Sequence, residues 1–266
     1  MKALIFDIKL NSLYSIRIPF TWQSALTYPI LPPSAVIGML ANALQRYEND
    51  KHPVNYLKEI EENIIWAGSR LLSPCIVKSY TTSAITKWED KLGGKFTNAL
   101  GRQFAYTKEL QIVGIFKNSS ELLNQIVEAI TSTTLTCGDS ESPISIEGKP
   151  EIKSVNVEEI LQDVEIETNF LVPFTKDIEI IEGSGLIYLM HDRCIKKDSN
   201  FPLRSYIVPI QEKKGILYPI AIKLKLKGAG LKIYIINKIL NIIHIPETSR
   251  LNVEERKKSK RKKGST

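Results

Sequence analysis

Two adjacent prolines, Pro32 and Pro33, restrict the fold more than any other feature, because a helical pattern follows them directly in YPILPPSAVIGMLANAL, residues 28–44. Proline fixes its own φ and favours an extended conformation for the residue before it. The chain is therefore predicted to approach the helix extended and to turn abruptly into it, with Ser34 as the N-cap. The helix is predicted to end near Asn49. Its apolar positions at helical spacing are Val36, Met39, Leu40, Ala43 and Tyr47.

Hydrophobic periodicity predicts both strands and helices in the first half of the chain. In order, the predicted elements are a strand or strand pair (3–18), two helices (34–49 and 54–67), a strand (71–80), a polar insertion, a strand (104–116), a helix (119–131) and a strand–turn–strand (135–146). Without the second helix this order is βαββαβ, the ferredoxin-like arrangement. The second half is predicted to be mainly strand, at 164–172, 205–210, and a hairpin of 215–226 with 231–236.

The net charge of +7 is concentrated in a short C-terminal block, RKKSKRKK (Arg256–Lys263). Without its seven basic residues, the remaining 29 Lys and Arg balance 29 Asp and Glu. Such a block is typical of a disordered, solvated arm and identifies no partner by itself. Inside the neutral body, residues 69–108 carry a net charge of +5 and residues 151–183 a net charge of −7. The acidic segment could meet a basic partner or be solvated, and solvation is favoured.

The stretch Lys87–Lys108, KWEDKLGGKFTNALGRQFAYTK, alternates basic residues with aromatic ones around the pair Gly93–Gly94. Single-stranded RNA is commonly held by cations on its phosphates and by aromatic rings on its unstacked bases. Glycines also allow a backbone to approach a ligand closely. The stretch fits RNA binding and fits a charge-rich surface loop equally well.

Few residues in the sequence are suited to catalysis. The three histidines and three cysteines lack metal-site spacing, and neither a Walker motif nor GxSxG is present, so no metal or cofactor is predicted. Metal-independent RNA cleavage requires a base and a cation, commonly His and Lys. Lys51–His52 is the one adjacent pair of this kind, and a solvated-loop role is favoured for it because it lies in a short polar connection beside Pro53.

Two segments resemble the CRISPR-associated Cas family five of the RAMP superfamily. YPILPPSAVIGMLANAL is similar to the family's proline-rich segment and first helix, and LTCGDSESPISI (135–146) is similar to its glycine turn followed by Ser-Glu-Ser and a strand. The βαββαβ order with an insertion before the third strand also fits. The resemblance covers roughly residues 1–146, and it is greatest to archaeal type I-A members, with type I-D next.

This resemblance implies an α+β fold with a ferredoxin-like (RRM/RAMP) N-terminal domain over residues 1–148. An inserted β-hairpin thumb is expected at about 81–103. A strand-rich C-terminal region is expected over 149–250, followed by a basic disordered tail over 251–266.

The resemblance also implies a noncatalytic subunit of the type I interference complex, Cascade, that caps the backbone and holds the 5′ handle of the CRISPR RNA. The implied partners are that RNA, a RAMP backbone subunit and the large or small subunits, with target DNA contacted indirectly. One subtype cuts precursor RNA with a Tyr, Lys and His constellation, and no Lys-His pair stands at the matching place here. The expected RNA-binding residues are Arg70, Lys78, Lys87, Trp88, Lys91, Lys95, Arg102, Gln103, Tyr106 and Lys108.

Gly38 and Ser34 are further candidates for RNA contact in the proline-led helix. Glycine within a helix costs about 1 kcal/mol relative to alanine, so Gly38 is expected to allow close approach of another backbone. Packing of the helix on the sheet is favoured over approach of RNA, because packing is needed in every state. The helix N-terminus at Ser34 could also direct free N–H groups at a phosphate.

Three functions therefore remain open at the level of sequence: a noncatalytic RNA-binding scaffold, a metal-independent endoribonuclease of the same superfamily, and a protein–protein adaptor without an RNA role. The first is favoured. A cytoplasmic location without membrane contact is expected, since the chain begins without a signal-peptide pattern and no apolar run reaches the ~18 residues of a membrane span.

Overall fold

The computed structural model describes residues 1–21, 24–85, 97–117, 120–138, 142–195, 202–227, 231–238 and 240–245. Strands hold 53% of the chain and helices 19%, so the mixed α and β class is confirmed, with strand predominant. The elements in chain order are β1 (Lys2–Leu10), β2 (Ser24–Ala25), α1 (Pro33–Glu48), α2 (Pro53–Asn63), β3 (Ile64–Leu71), β4 (Cys75–Ile85), β5 (Thr97–Thr107), β6 (Glu109–Phe116), α3 (Ser120–Ser132), β7 (Leu135–Thr136), β8 (Pro143–Glu159), β9 (Val164–Thr168), β10 (Val172–Pro173), β11 (Ile178–Glu182), β12 (Leu186–His191), β13 (Leu203–Val208), β14 (Ile210–Lys213), β15 (Ile216–Pro219), β16 (Ile222–Leu226), β17 (Lys232–Ile236) and β18 (Leu240–His244).

The central sheet is antiparallel and has the order β18-β17-β8-β1-β6-β3, with β7 paired to the start of β8. The strand β1 lies between β8 and β6 and is buried on both faces. Successive side chains of a strand point to opposite faces, and Ala3 and Leu4 are both fully inaccessible. The run ALIFDIKL therefore belongs to a strand that is covered on each side.

Helices cover one face of the central sheet. At β3, the other face is covered by the segment that contains Phe170. Ser69 of β3 contacts the segment that leads into α1, whereas Trp66, Gly68 and Arg70 point to the opposite face. On that opposite face, the rings of Trp66 and Phe170 meet edge to face with centroids 6.0 Å apart. A methyl group added at Gly68 would lie only 2.6 Å from the Trp66 ring, so this position requires glycine's missing side chain.

The extended approach to α1 is held by side chains from two other segments. The Ser69 hydroxyl accepts a hydrogen bond from the Leu31 amide at 2.9 Å and donates one to the Leu31 carbonyl at 3.0 Å. The buried Tyr14 hydroxyl donates to the Pro29 carbonyl at 2.6 Å. These bonds satisfy backbone groups that have no partner in a helix or strand, because the prolines keep this segment out of regular secondary structure. The predicted extended approach to α1 is therefore confirmed.

Ser34 is not the N-cap of α1, so that prediction is wrong. The helix begins at Pro33 with Pro32 in the cap position, and no side chain caps it. The amides of Ala35 and Val36 already donate to the Pro32 carbonyl, at 3.0 and 3.2 Å. Proline at the first helical position is favourable because its missing N–H would have had no helical partner. The predicted end of α1 is confirmed, since Glu48 is its last residue and Asn49 adopts the left-handed conformation.

Several predicted element boundaries in the first half are wrong. The predicted strand 71–80 is divided between the end of β3 at Leu71 and β4, which begins at Cys75 and continues to Ile85. The second helix ends at Asn63, not at 67, because Ile64 begins β3 and pairs with Phe116 of β6. A short apolar run fits a helix and a strand equally well in sequence. Here the pairing with β6 makes the residues from Ile64 onward a strand. The predicted strand 104–116 is divided into β5 and β6 by a turn at Lys108, where the Ser73 hydroxyl accepts from the amides of Lys108 and Glu109. The predicted helix 119–131 is confirmed as α3.

The C-terminal half forms two small sheets and extends the central one. The sheets have the orders β10-β13-β12 and β11-β16-β9. The predicted hairpin of 215–226 with 231–236 is wrong, because β16 pairs with β9 and β11 while β17 pairs with β8 and β18. The domain division at residue 148 stays a prediction, and β8 continues through that residue.

Lysines of β16 and its C-terminal flank neutralise part of the acidic segment 151–183. Lys223 bonds Glu165 at 2.8 Å, Lys225 lies 3.4 Å from Asp163, and Lys227 lies 3.2 Å from Glu179. The hydrogen bond from Lys223, assisted by its charge, lowers the pKa of Glu165. All six side chains are solvent-exposed, so these pairs contribute little to stability. These three acidic side chains are thus partnered within the chain.

Gly38 does not serve helix–sheet packing, contrary to the preferred interpretation of the sequence. A Cβ added to Gly38 would meet no atom within 4 Å, because the position faces open space. We therefore expect Gly38→Ala to raise the free energy of unfolding by about 0.5–1 kcal/mol, the difference in helix propensity. Urea denaturation followed by circular dichroism measures this change. The matched variant Gly138→Ala should destabilise, because its φ of +87° and a 2.6 Å approach to Ile16 leave no room. A destabilised Gly38→Ala protein would restore the packing interpretation.

Candidate nucleic-acid interface

The strongest candidate site is one face of the long antiparallel pair β4–β5. The register runs from Cys75 opposite Thr107 to Ile85 opposite Thr97. Residues directly opposite each other in such a pair share a face of the sheet. The pairs Ile76↔Tyr106, Lys78↔Phe104 and Tyr80↔Arg102 therefore lie on the same face, and we call these six side chains the cation–aromatic face.

The cation–aromatic face is open to solvent and its members contact one another. Tyr80 is 51% exposed and Tyr106 is 43% exposed, which is unusual for large rings in a regular sheet. The rings of Tyr80 and Phe104 meet edge to face at 5.8 Å, and the Arg102 guanidinium lies 4.7 Å from the Phe104 centroid. Rings and cations thus alternate along a surface that an unstacked nucleotide chain could reach.

At its base, the opposite face of β4–β5 is part of the hydrophobic core. Cys75, Ala105 and Thr107 are fully inaccessible there, and Tyr14 pairs its backbone with Ala105 in both directions. Burial raises the pKa of the Cys75 thiol to about 11, so the thiol stays protonated at neutral pH. The base of the pair is therefore fixed on the core, which supports the Ile76↔Tyr106 end of the cation–aromatic face.

Two other predicted contact residues of this region have intramolecular partners. The Gln103 side chain is on the inner face, where its oxygen accepts from the Thr27 amide at 3.3 Å and its amide donates to Ser79 at 3.3 Å. Lys108 lies at the turn after β5 and bonds Glu109 at 2.7 Å. Lys87, Trp88, Lys91 and Lys95 lie outside the described residues.

The structure adds Ile76, Tyr80 and Phe104 to the residues singled out from sequence as RNA contacts. Their positions follow the same period of two as Lys78, Arg102 and Tyr106, so the alternation itself was the available signal. What the sequence could not supply was the register that sets Lys78 against Phe104 and Tyr80 against Arg102.

Arg70 is in a different setting, on β3 of the central sheet. Its guanidinium lies 4.8 Å from the Phe170 ring centroid, and the side chain is half-buried. Burial lowers the pKa of Arg70, and the nearby Asp7 carboxylate partly offsets that effect. Arg70 thus helps to pack the covering segment on β3 and does not share a sheet with Lys78.

Gly38 and Ser34 are half-buried positions of α1. A groove of about 330 Å³ runs beside Gly38 and is lined by Ala35, Asn42, Arg46 and the turn at Gly138. Arg46 donates to the Thr134 carbonyl at 2.6 Å across this groove. The Ser34 carbonyl accepts from the Cys194 thiol at 3.1 Å, so the helix start is packed on the C-terminal half.

Lys51 and His52 are committed to the fold around α2. The His52 Nδ1 accepts from the Val54 amide at 3.3 Å and caps the helix. Lys51 lies 3.6 Å from Glu59 and over the Tyr56 ring. Charge attraction from Glu59 raises the pKa of Lys51. This pair is therefore occupied in helix capping and ion pairing.

A metal-binding cluster and a membrane-spanning helix are both absent from the described residues. No group of three or more His, Cys, Asp or Glu side chains there could hold a metal ion. Likewise, no helix in the described ranges is long and apolar enough to cross a membrane.

Comparison with known protein families identifies the chain's relatives. The family model described as CRISPR-associated protein (Cas_Cas5) matches residues 7–176, well over half of the 266 residues. This chain belongs to the Cas5 family. The match includes the end of β1 and all of α1 and β4–β5, so both the proline-led helix and the cation–aromatic face lie within it. The resemblance read from the sequence is confirmed at the family level. No curated protein matches the chain.

One solved structure supports the fold. The chain is similar to a CRISPR protein from Archaeoglobus fulgidus, known from a crystal structure, with a TM-score of 0.60 and 16% identity. That alignment covers 93% of this chain and 100% of the other. A chain of a CRISPR RNA-guided surveillance complex aligns with 14% identity over 82% of this chain and 91% of its own, but its TM-score of 0.43 is too low to establish a shared fold.

We expect the two faces of the five-stranded sheet β14-β15-β4-β5-β2 to differ sharply in their effect on stability. Lys78→Ala should change the free energy of unfolding by no more than about 0.5 kcal/mol, because the side chain is exposed. Leu217→Ala on the inner face should cost about 2–5 kcal/mol, because it leaves a cavity in the core. Urea denaturation measures both. A large loss for Lys78→Ala would mean that the cation–aromatic face is a structural element.

Proposed function

We propose that this Cas5-family protein is a noncatalytic RNA-binding subunit of a type I CRISPR interference complex, Cascade. In this role it caps the backbone and holds the 5′ handle of the CRISPR RNA. The observation that carries the proposal is the cation–aromatic face, on which Lys78 and Arg102 alternate with the rings of Tyr80, Phe104 and Tyr106. Cations bind phosphates and exposed rings stack on bases, which is how single-stranded RNA is held.

The proposed role includes an assignment of the fold. The strands β8, β1, β6 and β3 are adjacent and antiparallel, and the chain connects them as strand, two helices, strand, strand, helix, strand. We assign this unit as the ferredoxin-like domain and the β4–β5 pair as the thumb inserted before its third strand. The proposed partners are the CRISPR RNA, a RAMP backbone subunit and the large or small subunits, with target DNA contacted through them, in the cytoplasm.

The noncatalytic part of the proposal is supported by the contacts of Lys51 and His52. A general base must reach the 2′-OH proton directly or through one water. His52 instead caps α2 through its Nδ1, and Lys51 is paired with Glu59. Metal-independent endoribonuclease activity is the alternative function, and a purely protein–protein adaptor is the third.

We expect the double variant Lys78→Glu/Arg102→Glu to weaken binding of repeat-derived single-stranded RNA by at least tenfold. The slope of log K against log salt should also fall by about 1.4, because each phosphate contact to a single strand contributes about 0.7. Fluorescence anisotropy over a salt series measures both quantities. The seven basic residues of 256–263 should be replaced with Gln in every protein compared, so that the tail adds no affinity.

The matched control for this experiment is Lys58→Glu/Lys176→Glu. Both lysines are exposed and lie on other elements, so the control changes the net charge equally. Equal losses in the two double variants would indicate a nonspecific charge effect and contradict the assignment of the RNA surface. A wild-type protein that binds its partner subunits but no RNA would favour the adaptor.

We expect labelled repeat RNA to stay intact when it is incubated with the protein in EDTA. Lys51 and His52, the one pair of these residues adjacent in the sequence, serve the fold instead. Denaturing gel electrophoresis detects cleavage. Cleavage at one position that persists in EDTA and disappears in His52→Ala would establish the endoribonuclease alternative, whereas cleavage unaffected by that substitution would indicate a contaminant or another base.

A further inference from the structure

The hairpin β14–β15 of the C-terminal half continues the sheet that carries the cation–aromatic face. β15 pairs with β4, with Ile216 opposite Ile76 and Leu217 opposite Cys75. β14 pairs with β15, with Lys213 opposite Ile216 and Gln211 opposite Tyr218. Cross-strand partners share a face, so Lys213, Ile216, Ile76 and Tyr106 form one row across four strands. With strands about 4.8 Å apart, this row spans about 14 Å.

The outward side of this hairpin repeats the chemistry of the cation–aromatic face. Tyr218 is two positions along β15 from Ile216 and therefore points outward, where it is 36% exposed. Lys213 is exposed at the end of β14. The inner side carries Leu217, which is buried against the core. The hairpin thus presents a further ring and cation on the same side as Lys78 and Tyr106.

The turn of the hairpin adds a second cation at an unusual backbone position. Lys214 and Gly215 have φ values of +54° and +75°, so both central residues adopt the conformation of a two-residue type I′ turn. Asn or Gly is favoured at the first of these positions, and lysine is rare in it. Lys213 and Lys214 therefore place two positive charges at the outer end of the row.

We propose that the β14–β15 hairpin is a second RNA-contact site, in which Tyr218 stacks on a base and Lys213 and Lys214 bind the adjoining phosphates. The inference rests on the proposed RNA-binding function and extends the contact surface from the N-terminal half onto the C-terminal half. The RNA path then crosses β5, β4, β15 and β14 and is not confined to the β4–β5 pair. The ligand is a single-stranded RNA segment that leaves the cation–aromatic face at Ile76.

The test measures binding of a labelled single-stranded RNA of about 12 nucleotides to the full chain with the Gln-substituted 256–263 tail. We expect Tyr218→Ala to weaken binding about tenfold, and Tyr218→Phe to stay within about twofold of wild type, because stacking needs the ring and not the hydroxyl. Lys214→Asn should lower the salt slope by about 0.7 while keeping the turn, since Asn tolerates positive φ. The matched control Tyr47→Ala removes a tyrosine of α1 that is also exposed, and it should leave affinity unchanged.

A photo-crosslinking residue at position 218 supplies a readout that does not depend on affinity. Crosslinking to RNA in the assembled complex supports the inference, and crosslinking only to protein overturns it in favour of a subunit contact. Unchanged binding in Tyr218→Ala and Lys214→Asn also overturns it. If Lys78→Glu/Arg102→Glu loses RNA while Tyr218→Ala does not, only this extension fails. If the wild-type protein binds no RNA, the proposed function itself fails.

Discussion

Burial of β1 on both faces is the constraint on which the rest of the structure depends. Helices cover one side of the central sheet, and the edge-to-face contact of Trp66 with Phe170 belongs to the cover of the other side. The strands β1, β3 and β6 are thus largely closed on both faces, whereas β8 leaves many of its side chains exposed. The second sheet, β14-β15-β4-β5-β2, packs part of its inner face on the core and leaves its outer face open, and we therefore propose that outer face as the surface for nucleic acid.

In the second sheet, successive side chains of each strand point to opposite faces, so one set packs toward the core and the other faces outward. Cys75, Ala105 and Thr107 anchor the base of β4 and β5 in the core, while Lys78 is exposed and Phe104 and Arg102 are half-exposed on the outer face. The strand register and the buried base together set the spacings of the outer residues. Fixed spacings favour the binding of a nucleotide chain to several cations and rings at once, because fewer protein side chains have to become ordered when it binds.

The elements that could be predicted from the sequence are those whose ends are set by residues within one segment. The prolines, the end of α1 at Asn49 and the periodicity of α3 are local signals, and the structure agrees with each of them. The boundary between α2 and β3 was wrong, because Ile64 suits either element and its pairing with Phe116 is a long-range contact. The division of 104–116 into two strands depended on Ser73, which is distant in sequence.

The sequence alone determined the family resemblance and the spacing by two of Arg102, Phe104 and Tyr106. It also determined the extended approach that Pro32 and Pro33 impose on α1. Each of these follows from a residue's own conformational limits or from a spacing within one segment. Only the tertiary structure decided that Gly38 faces open space, that Arg70 packs under Phe170, and that β15 joins β4 and aligns Tyr218 with the exposed face. Those outcomes depend on strand register and on contacts between distant segments, which local patterning does not encode.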